Sequence, residues 1–322
     1  MQLLHASTIV DASLAPPFRI QSMARSSRIA AALALAATAA CSTEPTAPTL
    51  ESSSDLYGAK EGTSGGRIVV SETDITRQPE NTPPTDNWVF YFRLPTSTGA
   101  FVTGPGNPPL GVGSFEMNTP TDGDKGTLFN FDHIATRLAD ISDIGYATYR
   151  RAESTDGVSL PSINIQVDKD GGALLPGDFL TLVYEPYLNG ATIQEGVWQT
   201  WDAIPGTWWA TRPIILADGS ACAPQICTFT WSAFVAAYPN ATITGGFGVN
   251  QGSFNGGLFA ATDALTIEYD GNRWTYDFEP FRGPANRDEC KKGGWENLRD
   301  ENGAPFKNQG QCVSYANRTS RS

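Results

Sequence analysis

Between residues 67 and 282 apolar side chains recur at every second position in short runs, and Gly, Pro, Asn and Asp cut those runs apart. Trp88, Phe90 and Phe92; Ile163, Ile165 and Val167; Leu180, Leu182 and Tyr184; and Trp274, Tyr276 and Phe278 each follow this period. Successive residues of an extended chain point to opposite sides, so each run specifies a strand with one buried face. Further strands are expected at Ser114–Asn118, Thr127–Phe131, Tyr146–Arg150, Thr242–Val249 and Ala264–Tyr269, with turns at Thr121-Asp122-Gly123-Asp124, Asp170-Gly171-Gly172 and Asp270-Gly271-Asn272. The expected fold class is all-β: a jelly-roll-like β-sandwich, concanavalin-like or carbohydrate-binding-module-like, over residues 67–282. One short helix is expected at Thr230–Pro239, where Thr230 can cap, Phe234 and Tyr238 share a face and the proline ends the run.

The five cysteines divide into one plus two pairs. Cys41 follows a short apolar stretch in MARSSRIAAALALAATAAC, residues 23–41, which has the order of a secretory signal: Arg25 and Arg28, an apolar run, then small residues. The run falls short of the ~20 apolar residues needed to cross a bilayer. Residues 23–40 therefore read as a signal peptide and Cys41 as a lipidation site; the alternative is cleavage after Ala37-Thr38-Ala39. Residues 1–22 read as an upstream extension or a mis-called start. Residues 41–66, rich in Ser, Thr, Pro, Glu and Gly, cannot bury enough surface to fold and form a tether with a mean reach of about 25 to 30 Å. Cys222 with Cys227, and Cys290 with Cys312, suit disulfides, as an exported chain permits. The second pair would staple a small C-terminal module over residues 288–322, too short to build a core unaided.

Charge and residue chemistry narrow the function. Residues 41–281 carry 11 basic and 28 acidic side chains, which repels phosphate and argues against a nucleic-acid partner. His133 is the one histidine beyond the signal, and no Gly-x-Ser-x-Gly turn accompanies it, so it reads as a structural surface residue rather than a base. No Glu-x-Asp-x-x-Glu strand of the sandwich glycosidases occurs, although Asp263, Glu268, Asp270 and Asp277 fall on or near late strands. No cofactor is called for; a structural calcium ion could be held at acidic turns such as Asp122-Gly123-Asp124 or Asp168-Lys169-Asp170-Gly171. Aromatic residues supply the better lead. Trp198, Trp201, Trp208 and Trp209 crowd into GVWQTWDAIPGTWWATR, and indole faces stack on sugar rings while nearby polar groups take the hydroxyls.

CKKGGW (residues 290–295) followed by FKNQGQCVSY (residues 306–315) resembles a C-terminal module of exported bacterial proteins, whose pattern is close to CKNGGW and then FKNQGQCVSY. Lys292 replaces an asparagine, and the insert ENLRDENGAP lengthens a loop. The body is similar to exported bacterial domains that share PPLGVGS (residues 108–114), VWQTWDA (residues 197–203), a Trp-Trp pair and a cysteine-bracketed loop. This resemblance implies export and brings no activity with it. The late strands also look like the closing strands of carbohydrate-binding jelly rolls, a likeness of fold alone.

The expectation is an exported surface protein, lipid-anchored through Cys41 and in the outer membrane if the cell is Gram-negative. It would bind a glycan or another envelope component without catalysis, through Trp198, Trp201, Trp208 and Trp209. The alternatives are a polysaccharide-active hydrolase or lyase on the same fold, and a structural component that contacts other proteins. Metabolic labelling with a fatty-acid analogue should mark the wild-type chain and leave Cys41→Ala unmarked; equal labelling of both would remove the anchor.

Overall fold

The computed structural model describes residues 65–284, 286–300 and 303–319. The segment 1–22, the signal peptide, Cys41 and the tether up to residue 64 lie outside the described residues. In chain order the strands are β1 (Gly66–Val70), β2 (Thr76–Pro79), β3 (Trp88–Phe92), β4 (Thr98–Thr103), β5 (Gly113–Thr119) and β6 (Lys125–Asn130). They continue with β7 (Ile141–Arg150), β8 (Ser162–Asp168), β9 (Phe179–Tyr184), β10 (Trp198–Asp202), β11 (Thr207–Ala210) and the short hairpin of β12 (Ile214–Ile215) and β13 (Ala221–Cys222). Last come β14 (Phe229–Thr230), helix α1 (Trp231–Ala237), β15 (Thr242–Gly252), β16 (Leu258–Tyr269), β17 (Asn272–Phe278) and helix α2 (Gln309–Thr319).

Two sheets hold nearly all of these strands, so the chain is the all-β sandwich its period-two runs specify. The larger, eight-stranded sheet runs β14-β11-β9-β8-β15-β6-β3-β2. In the smaller sheet the long β16 is the axis: β7 flanks it on one side and carries β10, while β5-β4 and β17-β1 share the other side. The inward residues of both sheets form one core, to which Phe90, Leu128, Ile163, Leu182 and Phe247 come from the larger sheet and Phe115, Ile144, Leu265, Tyr276 and Phe278 from the smaller. Aromatic edges lock the layers together. Trp88 meets Tyr276 at 4.9 Å between ring centroids and Phe90 meets Phe115 at 5.5 Å.

Helix α1 forms where the cap pattern places it: the Thr230 hydroxyl accepts from Ala233 N, and Trp231 and Phe234 are buried. Just ahead of it Cys222 and Cys227 are bonded, with Cα atoms 5.2 Å apart. Strands β7 and β16 begin earlier than the alternation suggests. A bulge between Asp263 and Thr266, with Ala264 in left-handed conformation, breaks the period in β16 and hides its first half.

The C-terminal module closes around a second disulfide, Cys290–Cys312. Its core is Cys290, Leu298, Phe306, Cys312 and Ala316, with Trp295 and Tyr315 packed alongside. The Gly293-Gly294 turn needs both glycines: Gly293 has φ +88°, and a Cβ on Gly294 would collide with the Glu289 carbonyl. Module and sandwich fall within one compact unit. Arg299 N donates to the Arg282 carbonyl at 3.1 Å, its guanidinium lies 5.4 Å from the Phe281 ring centre, and Gly303 abuts Val112. Helix α2 carries too little apolar character for periodicity to reveal it, yet Asn308 caps it by accepting from Gln311 N at 2.9 Å.

The two disulfides fit an oxidising, extracytoplasmic compartment, and no described helix is long and apolar enough to cross a membrane. Replacing Cys290 and Cys312 together by Ala should remove roughly 3 kcal/mol from the module by loop entropy. Hydrogen exchange should then show α2 losing protection while β8 and β15 keep theirs; unchanged exchange in α2 would show that the bridge does not hold the module.

Candidate functional site

The turn at Ala203–Gly206 sends the tryptophan-rich segment from one sheet to the other, and so divides it. Trp198 and Trp201 lie on β10 in the smaller sheet. Trp198 is half-buried beside Tyr149, and its indole N–H donates to the Pro105 carbonyl at 2.8 Å. Trp201 packs against the core and donates to Thr148 Oγ1 at 2.8 Å. Trp208, on β11, is wholly enclosed between Tyr184 and Trp231 and bonded to the Ala203 carbonyl. The expectation that it contacts a ligand is corrected here, because its ring presents no surface. Trp209, one residue on, turns to the outer face of the larger sheet and is half-buried there.

Around Trp209 the polar groups converge. Its indole N–H donates to Glu185 Oε2 at 2.8 Å, and the Tyr187 hydroxyl approaches the same oxygen at 3.4 Å. Asn189 fixes the turn beneath: its amide donates to the Glu185 and Thr207 carbonyls, while Oδ1 accepts from Thr207 N and Oγ1. Burial raises the Glu185 carboxyl above the usual range, against the pull of the bonds from Trp209 and Tyr187. Burial also pushes the Tyr187 hydroxyl up to about 12. Tyr187 and Leu188 remain exposed.

Strand register extends this corner into a row across the outer face: Trp209, Val183, Asn164, Gly248, Phe129 and Val89 are successive partners. At about 4.8 Å per strand the row is some 24 Å long. Ser162, Asn250 and Thr127 form a polar row beside it, joined by Thr127 Oγ1 to Asn250 Oδ1 at 2.8 Å and by Ser162 Oγ to the Asn250 carbonyl at 3.2 Å. Val89, Tyr91, Phe129 and Phe131 make a separate buried apolar cluster at the far end.

A different cluster occupies the outer face of the smaller sheet. Asp263 accepts from Leu110 N and Phe278 N, both at 3.0 Å, and Glu279 Oε1 accepts from Val112 N at 2.7 Å and Gly113 N at 3.2 Å. Asp277 Oδ2 is paired with Arg67 at 2.6 Å. Asp263 and Glu279 clip the PPLGVGS loop onto the sheet. Gly111 is required there, since it has φ +52° and a Cβ would overlap Glu279 Oε1. Trp198 of VWQTWDA grips the same β4–β5 connection at Pro105, so the PPLGVGS and VWQTWDA segments belong to one structural clasp. Burial raises all three acids: Asp263 to about 7 against the Phe278 N–H bond, Glu279 to about 7 against the Val112 N–H bond, and Asp277 against Arg67.

His133 is a core residue rather than the surface residue expected, with Nε2 2.8 Å from the Tyr276 hydroxyl and Nδ1 3.1 Å from that of Tyr269. Burial lowers it from 6.5 to about 4, so it is neutral in the folded protein at neutral pH. The acidic turns use their oxygens internally. Asp124 accepts from Thr96, Ser97 and Thr121, and Asp168 Oδ1 accepts from Asp170 N and Gly171 N. Among the described residues no group of three or more His, Cys, Asp or Glu could hold a metal ion.

No family model matches the chain, and no curated protein or solved structure matches it either. Glu185 and Glu279 escape sequence reasoning because their partners, Trp209 and Val112, come from distant segments, and Tyr187 follows Glu185, although the Trp-Trp pair marks β11 as a strand with one outward indole.

The buried acids and His133 give opposite pH dependences. For Glu279, raised in the folded state, stability is fully present below about pH 4.5 and is lost as pH rises through 7. The wild type's stability relative to Glu279→Gln should fall by about 2 kcal/mol between about pH 5 and 8, after discounting for screening. For His133, lowered in the folded state, stability is present above about 6.5 and lost as pH falls to 4. Relative to His133→Gln it should fall by about 3 kcal/mol over that window. Urea unfolding across the pH range measures both, and parallel curves for wild type and variants would contradict the assignments.

Proposed function

We propose that this is an exported bacterial surface protein, lipid-anchored through Cys41, that binds a glycan or another envelope component without catalysis. The observation that carries the reading is Trp209: half-buried, held in orientation by Glu185 and set beside exposed Tyr187. An indole fixed by its N–H leaves a ring face for the C–H face of a sugar, and the neighbouring carboxyl and hydroxyl can take its hydroxyl groups. A binding role is favoured over hydrolysis because the adjacent acids of the clasp, Asp277 and Glu279, are on the opposite outer face. Their oxygens hold Arg67 and the loop N–H groups. The resemblance of the C-terminal module and of the PPLGVGS and VWQTWDA segments to exported bacterial proteins supports the surface assignment.

The full chain should be retained by at least one member of a panel of soluble and insoluble polysaccharides, with no sugar released. Trp209→Ala should weaken retention about tenfold or more, the scale of a central aromatic contact, while Trp198→Phe should leave it within about twofold. Release of sugar would put the enzyme reading ahead; unchanged retention by Trp209→Ala would remove the site.

A further inference from the structure

Glu279 is the first residue past β17 and the root of the connection that leads to the C-terminal module. Its Oε1 accepts from Val112 N and Gly113 N, and its carboxyl lies within hydrogen-bond reach of the Asp277 carboxyl. Asp277 is fully buried: Oδ2 is held by Arg67, whereas Oδ1 accepts from no N–H or hydroxyl among the described residues. Two buried carboxyl groups in contact repel when both are ionised, and a single proton between them turns the contact into a hydrogen bond. With that proton on Glu279, Asp277 Oδ1 has its donor and the loop N–H groups keep their acceptor.

The surroundings oppose removal of the proton. Asp263 of β16 adds a third acid, and Arg67 is the one cation that acts on the pair. The 104–113 loop that closes over it offers backbone N–H groups and no charged side chain. Of the charged groups along the adjoining cavity, Asp74 is turned to Ser71, Arg282 is paired with Glu289, Asp300 accepts from Ala304 N, and Arg318 lies over Tyr315. Loss of the proton therefore leaves Asp277 and Glu279 both charged beside Asp263, with one guanidinium among them. Asp277 is fixed within β17, so the repulsion displaces the Glu279 side chain and the loop it holds. Val112 of that loop in turn abuts Gly303 of the module.

We propose that Asp277 and Glu279 form a proton-dependent latch: sharing a proton, they hold the 108–114 loop and the root of the C-terminal module on the sandwich, and on losing it they release both while the two sheets stay paired. A buried acid that ionises weakens the whole fold; a latch opens one corner first. It belongs to the smaller sheet and does not depend on what binds at Trp209.

Hydrogen exchange of the full chain at about pH 5.5 and about pH 8.5, corrected for the intrinsic rate, tests the proposal. Across that span the wild type should lose about tenfold in protection over 108–114 and α2, with β8 and β15 unchanged, because Glu279 gives up its proton at about 7. Glu279→Gln keeps an acceptor for the loop N–H groups and gives Asp277 Oδ1 a permanent amide donor, so its protection should not vary with pH. A second measurement needs no variant: in the wild type the carboxyl carbon shift of Glu279 should titrate together with the amide shifts of Val112 and Gly113. Unchanged loop protection in the wild type, equal pH dependence in Glu279→Gln, loss spread equally over β8 and β15, or a Glu279 carboxyl that titrates apart from those amides would each overturn the latch.

Discussion

Everything in this molecule hangs on the burial of inward-facing aromatic and branched side chains between two sheets. Trp88 and Phe90 reach across from the larger sheet to Tyr276 and Phe115 of the smaller, and the rings meet edge to face, which favours definite orientations over a slippery apolar contact. A slip of one residue in any central strand would turn its whole inward set to the outside. The registers that align Trp209 with Val183 and Asn164, or Asp277 with Val69, therefore follow from the core. The outer faces inherit their chemistry from that alignment.

The two outer faces have been put to different uses. On the smaller sheet buried carboxyl groups and Trp198 tie down a long connection, which brings Val112 against Gly303 of the C-terminal module. Three acids share this region with Arg67, so at neutral pH the clasp holds protons that ordinary carboxyl groups would have released. On the larger sheet the outward side is a buried mixture of apolar side chains, amides and hydroxyls, with half-buried Trp209 and Glu185 at one end. The first arrangement suits a structural and pH-sensitive junction, and in the second the Trp209 corner is the surface on which the proposed ligand contact rests.

Much of the fold was legible in the sequence, for physical reasons. Strands β3, β8, β9 and β17 each send every second, apolar side chain into the shared core and so show the period, although β3, β8 and β9 are buried on both faces, and Thr230 announces α1 because an N-cap is a local event. The short pieces from β10 to β14 alternate too little to be read, and the β16 bulge conceals its first half. The tryptophan cluster misleads for a topological reason. Its members are neighbours in sequence, but the turn at Ala203–Gly206 passes the chain between layers and puts Trp198 and Trp209 on opposite outer faces. The carboxyl clasp joins residues far apart in the chain, Leu110 to Asp263 and Val112 to Glu279, and no local pattern reports such contacts.

The claim on which the functional account stands is that ligand meets the outer face of the larger sheet at Trp209. Hydrogen exchange of the full chain, with and without a polysaccharide that retains it, tests this most directly. The account predicts new protection in the 183–189 and 207–211 segments, with the clasp loop at 108–114 unchanged. Protection confined to the clasp loop or to the C-terminal module would contradict it.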